Sequence, residues 1–255
     1  AKSNNILEYY NNPDFLEERL KSWHQFGLVS HTKKVREVYL KELNQILEEW
    51  GVVLKVNEKL KEKIDDVEKR MLFDISIIFH DLGKILCLND KKTSREHEIL
   101  SDDKKTNREH EILSKNLLSN SFLKEKLKNF DLKEKQIDYI KRCIETHDAI
   151  GKNIRDKLKH KNLLNMESFE KEEIKNMCTS LAEKYNDVKI EMGIFFVCDS
   201  LGKIGMRINS GDKLVTELDI EKILEKNNLP KDLKKAFLQL PVNLKLAEIY
   251  LKNID

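Results

Sequence analysis

Glycine and proline are scarce in this chain, with eight glycines and three prolines among 255 residues. An all-β fold of this length needs many turns, and turns depend heavily on these two residue types. Apolar residues instead recur at helical spacing, and dense runs such as 71–79 (MLFDISIIF) and 194–198 (IFFVC) supply a buried core. The sequence therefore predicts an all-α fold, in which residues 1–255 form a single domain built as a helical bundle.

The apolar periodicity also predicts where the helices lie. Ser30 is the expected N-cap of the first clear helix, which Gly51 is expected to end, and Gly83 is expected to end the next. Pro241 should separate the last two helices, because proline lacks the N–H that a helix interior requires. We expect the C-terminal helices, within 215–255, to pack on a metal-binding core that extends from residue 31 to residue 199. The predicted helices are 30–49, 57–82, 133–148, 167–185, 188–201, 217–226, 230–239 and 242–252.

Charge, cysteine usage and hydropathy exclude several classes of protein. The net charge is +2, so attraction for nucleic acid must come from local clusters of lysine and arginine. The cysteines sit in apolar helical patterns without a CxxC pair, which favours reduced core thiols over disulfides or a zinc knuckle. No uncharged stretch approaches the roughly 18–20 apolar residues of a membrane span, and the N-terminus is polar. We therefore expect a cytoplasmic protein.

A 13-residue segment occurs twice in tandem, as 89–101 (NDKKTSREHEILS) and 102–114 (DDKKTNREHEILS). In a continuous helix 13 residues rotate by about 220° net, so His97 and His110 could not face the same point. At most one copy can therefore contribute to a shared site. An apolar helical segment follows His110 directly, whereas residues of low helix propensity follow His97. We therefore favour His110 as the residue that contributes to the site.

The adjacent pair His80-Asp81 follows the apolar run 71–79, so both side chains should be buried. A buried ionised carboxylate without a partner is costly, and Asp81 therefore needs a cation nearby. Asp199 follows a second apolar run and has the same requirement. With the histidines His31 and His147, these residues suit a first-row divalent metal, for which imidazole and carboxylate are good ligands.

Each residue has a simpler interpretation when it is taken alone. His80-Asp81 could be a satisfied core pair, His31 could lie at the surface near a helix start, and Asp199 could pair with Arg207. The ordered set H…HD…H…H…D, with Leu-Gly-Lys after the HD step, favours a metal site. A carboxylate can bridge two ions, and two ions about 3.5–4 Å apart stabilise both oxygens of an in-line phosphoryl displacement.

This order of residues, with HDLGK at 80–84, resembles the HD superfamily of metal-dependent phosphohydrolases, whose members carry such ligands on an all-helical bundle. The resemblance covers most of the chain from His31 to Asp199 and implies a single HD-type domain. A second similarity is to the HD nuclease of type I CRISPR interference, in which a His-Glu-x-Leu-Ser segment precedes an apolar helix. Here residues 110–114 read HEILS.

The resemblance implies two metal positions. The first would be held by His31, His80, Asp81 and Asp199. The second would be held by Asp81, His110 (or His97) and His147. Asp81 and Lys84 would be the catalytic residues, with the Lys84 ammonium near the scissile phosphate.

The residue after His147 departs from the family pattern. Many members carry a second histidine there, whereas this chain has Asp148. Asp148 can also be a metal ligand, but its harder oxygen would shift the metal preference and leaves the occupancy of the second position open. The implied cofactors are one or two divalent transition metals, Mn, Ni, Co, Fe or Zn, with Mg as a further alternative.

Basic residues follow two of the site residues directly. They lie in 151–161, after His147, and in 202–213, after Asp199, and could form the rim of a single-stranded nucleic-acid channel. In so lysine-rich a chain they could equally be solvated surface. The candidate nucleic-acid-binding residues are Lys152, Arg155, Lys203 and Arg207.

Three functions agree with these patterns. The first is a nuclease that hydrolyses single-stranded DNA, or RNA, in CRISPR antiviral defence. It would act with a separate helicase, since the chain has no GxxxxGK[ST] motif for ATP. The second is a small-molecule nucleotide phosphohydrolase or cyclic-nucleotide phosphodiesterase with the same metal core. The third is a helical regulator that retains the site only structurally.

Overall fold

The computed structural model describes residues 27–84, 110–119, 127, 131–158, 172–203 and 231–254. The predicted helix 217–226, Arg207, Cys87 and the first copy of the duplicated segment, with His97, lie outside these residues. The helices are α1 (Gly27–Glu37), α2 (Leu43–Glu49), α3 (Val53–Lys61), α4 (Lys69–Phe79), α5 (His110–Leu118), α6 (Glu134–Thr146), α7 (Asp156–Leu158), α8 (Glu172–Lys184), α9 (Lys189–Gly202) and α10 (Lys231–Asn253). Two π-helical segments, Val38–Glu42 and Gly151–Arg155, join α1 to α2 and lead into α7.

The fold is all-α, as predicted. In the described ranges the helices are accompanied by one short antiparallel hairpin, in which β1 (Lys63–Ile64) pairs with β2 (Val67–Glu68). The helix expected to begin at Ser30 starts earlier, at Gly27, and Gly51 follows its last segment with a φ of 72°. That positive φ is open to glycine without strain, so Gly51 ends the helix as expected.

The prediction of one long helix over 57–82 is wrong in the middle of that range. The hairpin separates α3 from α4, and Asp65 adopts a left-handed φ of 55°, which aspartate tolerates better than most residues. Gln136 of α6 stabilises this turn, since its side-chain amide donates to Ile64 O at 3.0 Å. The result is that α4 begins at Lys69 with its own direction and carries the apolar run 71–79 into the core.

Helix α9 is the centre of the molecule. Every residue from Ile190 to Ser200 is buried, which is typical of a helix surrounded by other helices. It packs against α1 on one side and α10 on another, while α4 packs against α1 and α6, and α6 against α5. Gly193 makes the α9–α10 approach possible, because a Cβ there would press on Leu251 and Tyr250.

The predicted break at Pro241 is also wrong. Helix α10 runs without interruption from Lys231 to Asn253. A proline in a helix interior costs about 3 kcal/mol, and burial on both sides of it offsets that cost. Leu240, Val242 and Leu244 are all buried against the core, and each such side chain contributes about 1.5–3 kcal/mol. Tertiary burial therefore outweighs local propensity here.

Glu191, in the first turn of α9, is a fully buried acid outside the predicted site. The Tyr139 hydroxyl donates to its Oε1 at 2.8 Å, and Lys69 Nζ lies 3.8 Å from the same oxygen. Its Oε2 has no hydrogen-bond partner among the described residues. Burial raises the pKa of Glu191, because the charged form loses its hydration while Lys69 and Tyr139 compensate only in part.

We predict that Glu191→Gln stabilises the protein at high pH. Because the folded-state pKa is raised above the ordinary value of 4.5, the wild type loses stability as pH rises above that value. The variant should melt about 2–4 °C higher than wild type at pH 8, with the difference narrowing towards pH 4.5. Thermal unfolding followed by circular dichroism measures this difference in melting temperature.

Glu37→Gln is the control, and should not raise the melting temperature at pH 8, since Lys34 and Lys41 lower the pKa of Glu37. A lower melting temperature for Glu191→Gln at pH 8 would contradict the prediction.

Candidate metal centre

Five helices deliver histidine and aspartate side chains to one buried cluster. His31 lies on α1 and Asp199 on α9, while His110 begins α5. The pair His80-Asp81 and the residue His147 directly follow the last residues of α4 and α6. All six of these residues are buried.

Four of them form the first group, in which one ligand atom from each residue lies within 4.8 Å of the others. His31 Nε2 is 3.1 Å from Asp199 Oδ1 and 3.4 Å from Asp81 Oδ2. His80 Nε2 is also 3.4 Å from Asp81 Oδ2. Two imidazole nitrogens and two carboxylate oxygens thus converge around a volume that could hold a metal ion. The first group is His31, His80, Asp81 and Asp199.

The second group contains Asp81, His110 and His147, again within 4.8 Å of one another. His110 Nε2 lies 3.2 Å from Asp81 Oδ1, and His147 Nε2 lies 3.9 Å from the same oxygen. Asp81 therefore faces the first group through Oδ2 and the second through Oδ1. One carboxylate shared in this way is the arrangement that can bridge two cations.

Backbone contacts orient two of the imidazoles. His80 Nδ1 lies 2.7 Å from Ile77 O, and His147 Nδ1 lies 2.7 Å from Ile144 O. In each case Nδ1 donates to a carbonyl three residues earlier, so Nε2 faces the cluster and is the nitrogen that can bind a metal once it carries no proton. His80 Nε2 is fully buried and makes no hydrogen bond within the described part of the chain. A metal ion would satisfy that atom.

The titration behaviour of the two histidines agrees with a site built for positive charge. Burial lowers the pKa of His147 to about 3, and His80 and His110 act in the same direction, so its imidazole is neutral at pH 7. Burial also lowers the pKa of His80, but Asp81 and Asp199 outweigh that effect and raise it to about 9. The two carboxylates thus draw a proton to the place where they could hold a cation.

Two lysines contact the carboxylates of the first group. Lys84 Nζ lies 2.6 Å from Asp81 Oδ2, and Lys203 Nζ lies 2.5 Å from Asp199 Oδ2. Burial raises the pKa of Asp199, but the charge of Lys203 and the hydrogen bond from His31 outweigh it and keep that pKa well below its ordinary value. Asp199 is therefore ionised at neutral pH, as a metal ligand must be. Lys84 gives Asp81 a cationic partner of the same kind.

The other predicted binding residues lie in different surroundings. Lys152 Nζ is 2.5 Å from Glu111 Oε1. Arg155 donates to Asp156 Oδ1 at 3.2 Å and to Asn243 Oδ1 at 3.3 Å. Asp148 belongs to neither candidate group of the described residues. The structure thus brings His110 to the cluster, while His97 and Arg207 lie outside the described residues.

Two glycines position the ligand-bearing elements, a role that was not predicted for them. A Cβ on Gly83 would overlap His110 O and press on Ser114 N, so the turn after Asp81 can touch α5 only without a side chain. Gly83 N also donates to Ser114 Oγ at 2.7 Å. Gly202 likewise lets α9 approach α1 closely, because a Cβ there would overlap Val35. The sign of this role in the sequence was the position of each glycine, two residues after Asp81 and three residues after Asp199.

Comparisons of the chain with protein-family models, with curated proteins and with solved structures find no match. Within the described residues no helix is long and apolar enough to cross a membrane. The protein is a helical molecule with a buried histidine–aspartate cluster that could bind metal, and this is compatible with an HD-type domain.

We predict that metal binding releases a proton. His80, with a pKa of about 9, is protonated at pH 7, and a cation must displace that proton. Binding of Mn²⁺ should therefore release about one proton at pH 7, and the affinity should rise roughly tenfold per pH unit until about pH 9. Calorimetric titration in two buffers of different ionisation enthalpy measures the number of protons. Binding with no proton released at pH 7 would contradict this expectation.

Proposed function

We propose that this protein is a metal-dependent phosphohydrolase that cleaves phosphodiester bonds of single-stranded DNA, with RNA as a further polymer substrate. The observation that carries the proposal is the position of Asp81 in both candidate groups, through Oδ2 in one and Oδ1 in the other. Two cations that share a carboxylate can stabilise both the attacking and the leaving oxygen of a phosphoryl displacement.

The residues that would hold the cations are those of the two groups, with Asp81 common to both. Bound divalent cations would lower the pKa of a water and neutralise charge on the phosphoryl oxygens. Lys84 would hold its ammonium beside Asp81, where it can contact a phosphate oxygen. Burial raises the pKa of the Cys143 and Cys198 thiols, so neither is a thiolate nucleophile at neutral pH.

The exposure of the lysines supports an anionic substrate. The side chains of Lys84, Lys203 and Lys152 are 19%, 28% and 35% exposed, whereas those of His80 and Asp81 are 0% and 1% exposed. The cluster therefore meets solvent on the side where these ammonium groups lie. A phosphate that approaches from that side meets positive charge first.

The choice of single-stranded DNA rests on two features of the sequence. The HEILS segment at 110–114 resembles the HD nuclease of type I CRISPR interference, and its His110 is the residue that reaches Asp81. The chain contains no GxxxxGK[ST] motif. We therefore propose a role in antiviral defence in which a separate helicase delivers the single strand.

A specific observation favours a second candidate, the hydrolysis of small nucleotides or cyclic nucleotides. Arg155 and Lys152, two residues of the proposed channel rim, are engaged by Asp156, Asn243 and Glu111. These partners hold the two cations away from the path of a long phosphate backbone. Lys84 and Lys203 are also paired, but with the site carboxylates Asp81 and Asp199, so they lie where a compact substrate would bind.

Hydrolysis of labelled substrates tests the proposal. Wild type, Asp81→Ala and the exposed control Asp138→Ala are incubated with Mn²⁺, Ni²⁺, Co²⁺ or Mg²⁺ in turn. The substrates are single-stranded DNA, duplex DNA, single-stranded RNA and a panel of nucleotides and cyclic nucleotides. We expect metal-dependent cleavage of single-stranded DNA by wild type and Asp138→Ala, and a loss of at least about 10³-fold in Asp81→Ala.

The outcomes separate the candidates. Turnover of nucleotides with intact oligonucleotides would favour the second function. Metal binding without turnover of any substrate would overturn both and leave a regulatory protein. Activity that survives in Asp81→Ala would show that another centre, or a contaminant, is responsible.

We predict that Lys84→Met separates catalysis from metal binding. The loss of its ammonium should lower kcat about 10²–10³-fold, the range for one electrostatic donor. Mn²⁺ affinity should not fall, because Asp81 Oδ2 is then no longer shared with Lys84. Steady-state kinetics and calorimetry measure the two effects, with Lys41→Met as the control, since Lys41 pairs with Glu37 at the surface. A parallel fall in Mn²⁺ affinity would refute the assigned role.

A further inference from the structure

Phe195 is a fully buried aromatic residue of α9 that packs against two of the candidate ligands. Its ring centroid lies 5.5 Å from that of His80 and 5.6 Å from that of His147. The interplanar angles are 50° and 48°, so the two contacts are almost alike. Phe73 of α4 packs against the same ring, with centroids 4.8 Å apart. All three distances are typical of aromatic rings in van der Waals contact.

The two imidazoles also contact each other. The ring centroids of His80 and His147 are 5.1 Å apart, and the rings meet edge to face at 82°. Together with Phe195 they form three rings that all touch one another, which we call the ring triad. In a close-packed interior no ring of such a triad can tilt without pressing on a neighbour or opening a void.

The two histidines of the ring triad belong to different groups, His80 to the first and His147 to the second. Each is fixed at Nδ1 by one hydrogen bond to a backbone carbonyl. One hydrogen bond at the edge of a ring fixes the position of that edge, and the ring can still tilt about it. Packing against Phe195 restricts the tilt, and therefore determines where each Nε2 points.

We propose that Phe195 is a positioning residue that orients both imidazoles and so sets the geometry of both cation positions at once, an inference that rests on the proposed function of the cluster. The phenyl ring has no atom that ligates a metal, so it acts only through His80 and His147. Metal–ligand distances vary by only about 0.2 Å around their preferred values. A small change in the tilt of both imidazoles therefore weakens both cation positions.

Binding of Mn²⁺ alone to the full chain tests this, by calorimetry and by the number of ions retained in equilibrium dialysis. Wild type should bind two ions. Phe195→Leu, which removes the ring, should bind each of the two about 10–100-fold more weakly, the range for residues that orient metal ligands.

Phe196→Leu is the matched control. Phe196 is the next residue of the same helix and is 1% exposed, so the substitution leaves a comparable cavity in the core. Within the described part of the chain its ring contacts neither His80 nor His147. The control should melt at a lower temperature than wild type and still bind both ions with wild-type affinity.

Phe195→Met distinguishes orientation of the ligands from loss of stability. Methionine fills most of the volume of the phenyl ring but has no flat face, so the fold should persist. Phe195→Met should weaken both binding steps, and should change the visible absorption of bound Co²⁺, which responds to ligand geometry. The Co²⁺ spectrum of Phe196→Leu should match that of wild type, because lower stability alone does not alter the ligand geometry.

The outcomes separate this proposal from the function on which it rests. If wild type binds no Mn²⁺, the proposed function fails. If wild type binds two ions and Phe195→Met binds both with wild-type affinity, the function stands and only the role of Phe195 is refuted. Weakening of one binding step alone would also overturn the proposal, since the ring contacts a histidine of each group.

Discussion

The burial of two ionised carboxylates is the constraint on which the rest of this structure depends. Asp81 and Asp199 are 1% and 4% exposed, and charges removed from water to that degree need close partners of opposite sign or hydrogen bonds. Their partners come from distant parts of the chain, since His31 is 168 residues from Asp199. The helices that carry these side chains cannot separate without leaving a buried charge uncompensated. Fold and candidate site therefore stabilise one another.

The carboxyl ends of two helices also stabilise positive charge at the cluster. His80 and His147 occupy equivalent positions, one residue beyond the last residues of α4 and α6, and each Nδ1 faces the carbonyl three residues earlier. The carboxyl end of a helix carries partial negative charge, which favours a cation nearby. Ile77 and Ile144, whose carbonyls make these contacts, are themselves fully buried. Apolar packing thus fixes the imidazoles in the orientation that ligation requires.

Local patterns predicted much of this arrangement, and long-range contacts account for what they missed. The helix predicted at 133–148 is observed as Glu134–Thr146, and that at 188–201 as Lys189–Gly202, because an apolar stripe specifies the first and a continuous apolar run the second. The hairpin was missed because Asp65-Asp66 lacks the glycine that usually marks such a turn. The role of Gly83 depends on α5, which lies about thirty residues further along the chain, and no local pattern reports that contact.

For the proposed phosphohydrolase, the charges around the cluster give a reason for substrate binding to follow cation binding. The carboxylates Asp81, Asp199 and Glu111 are matched one to one by Lys84, Lys203 and Lys152, so these six groups sum to zero. Protonated His80 adds one positive charge, which a bound cation displaces, so two divalent cations would raise the net charge of the cluster by three. In a cluster of low dielectric constant these charges act with little screening. Such a cluster would attract a phosphodiester far more strongly than the cation-free cluster would. The lysines thus stabilise the carboxylates before cations bind, and the same ammonium groups are then in place to contact the anion that the cations attract.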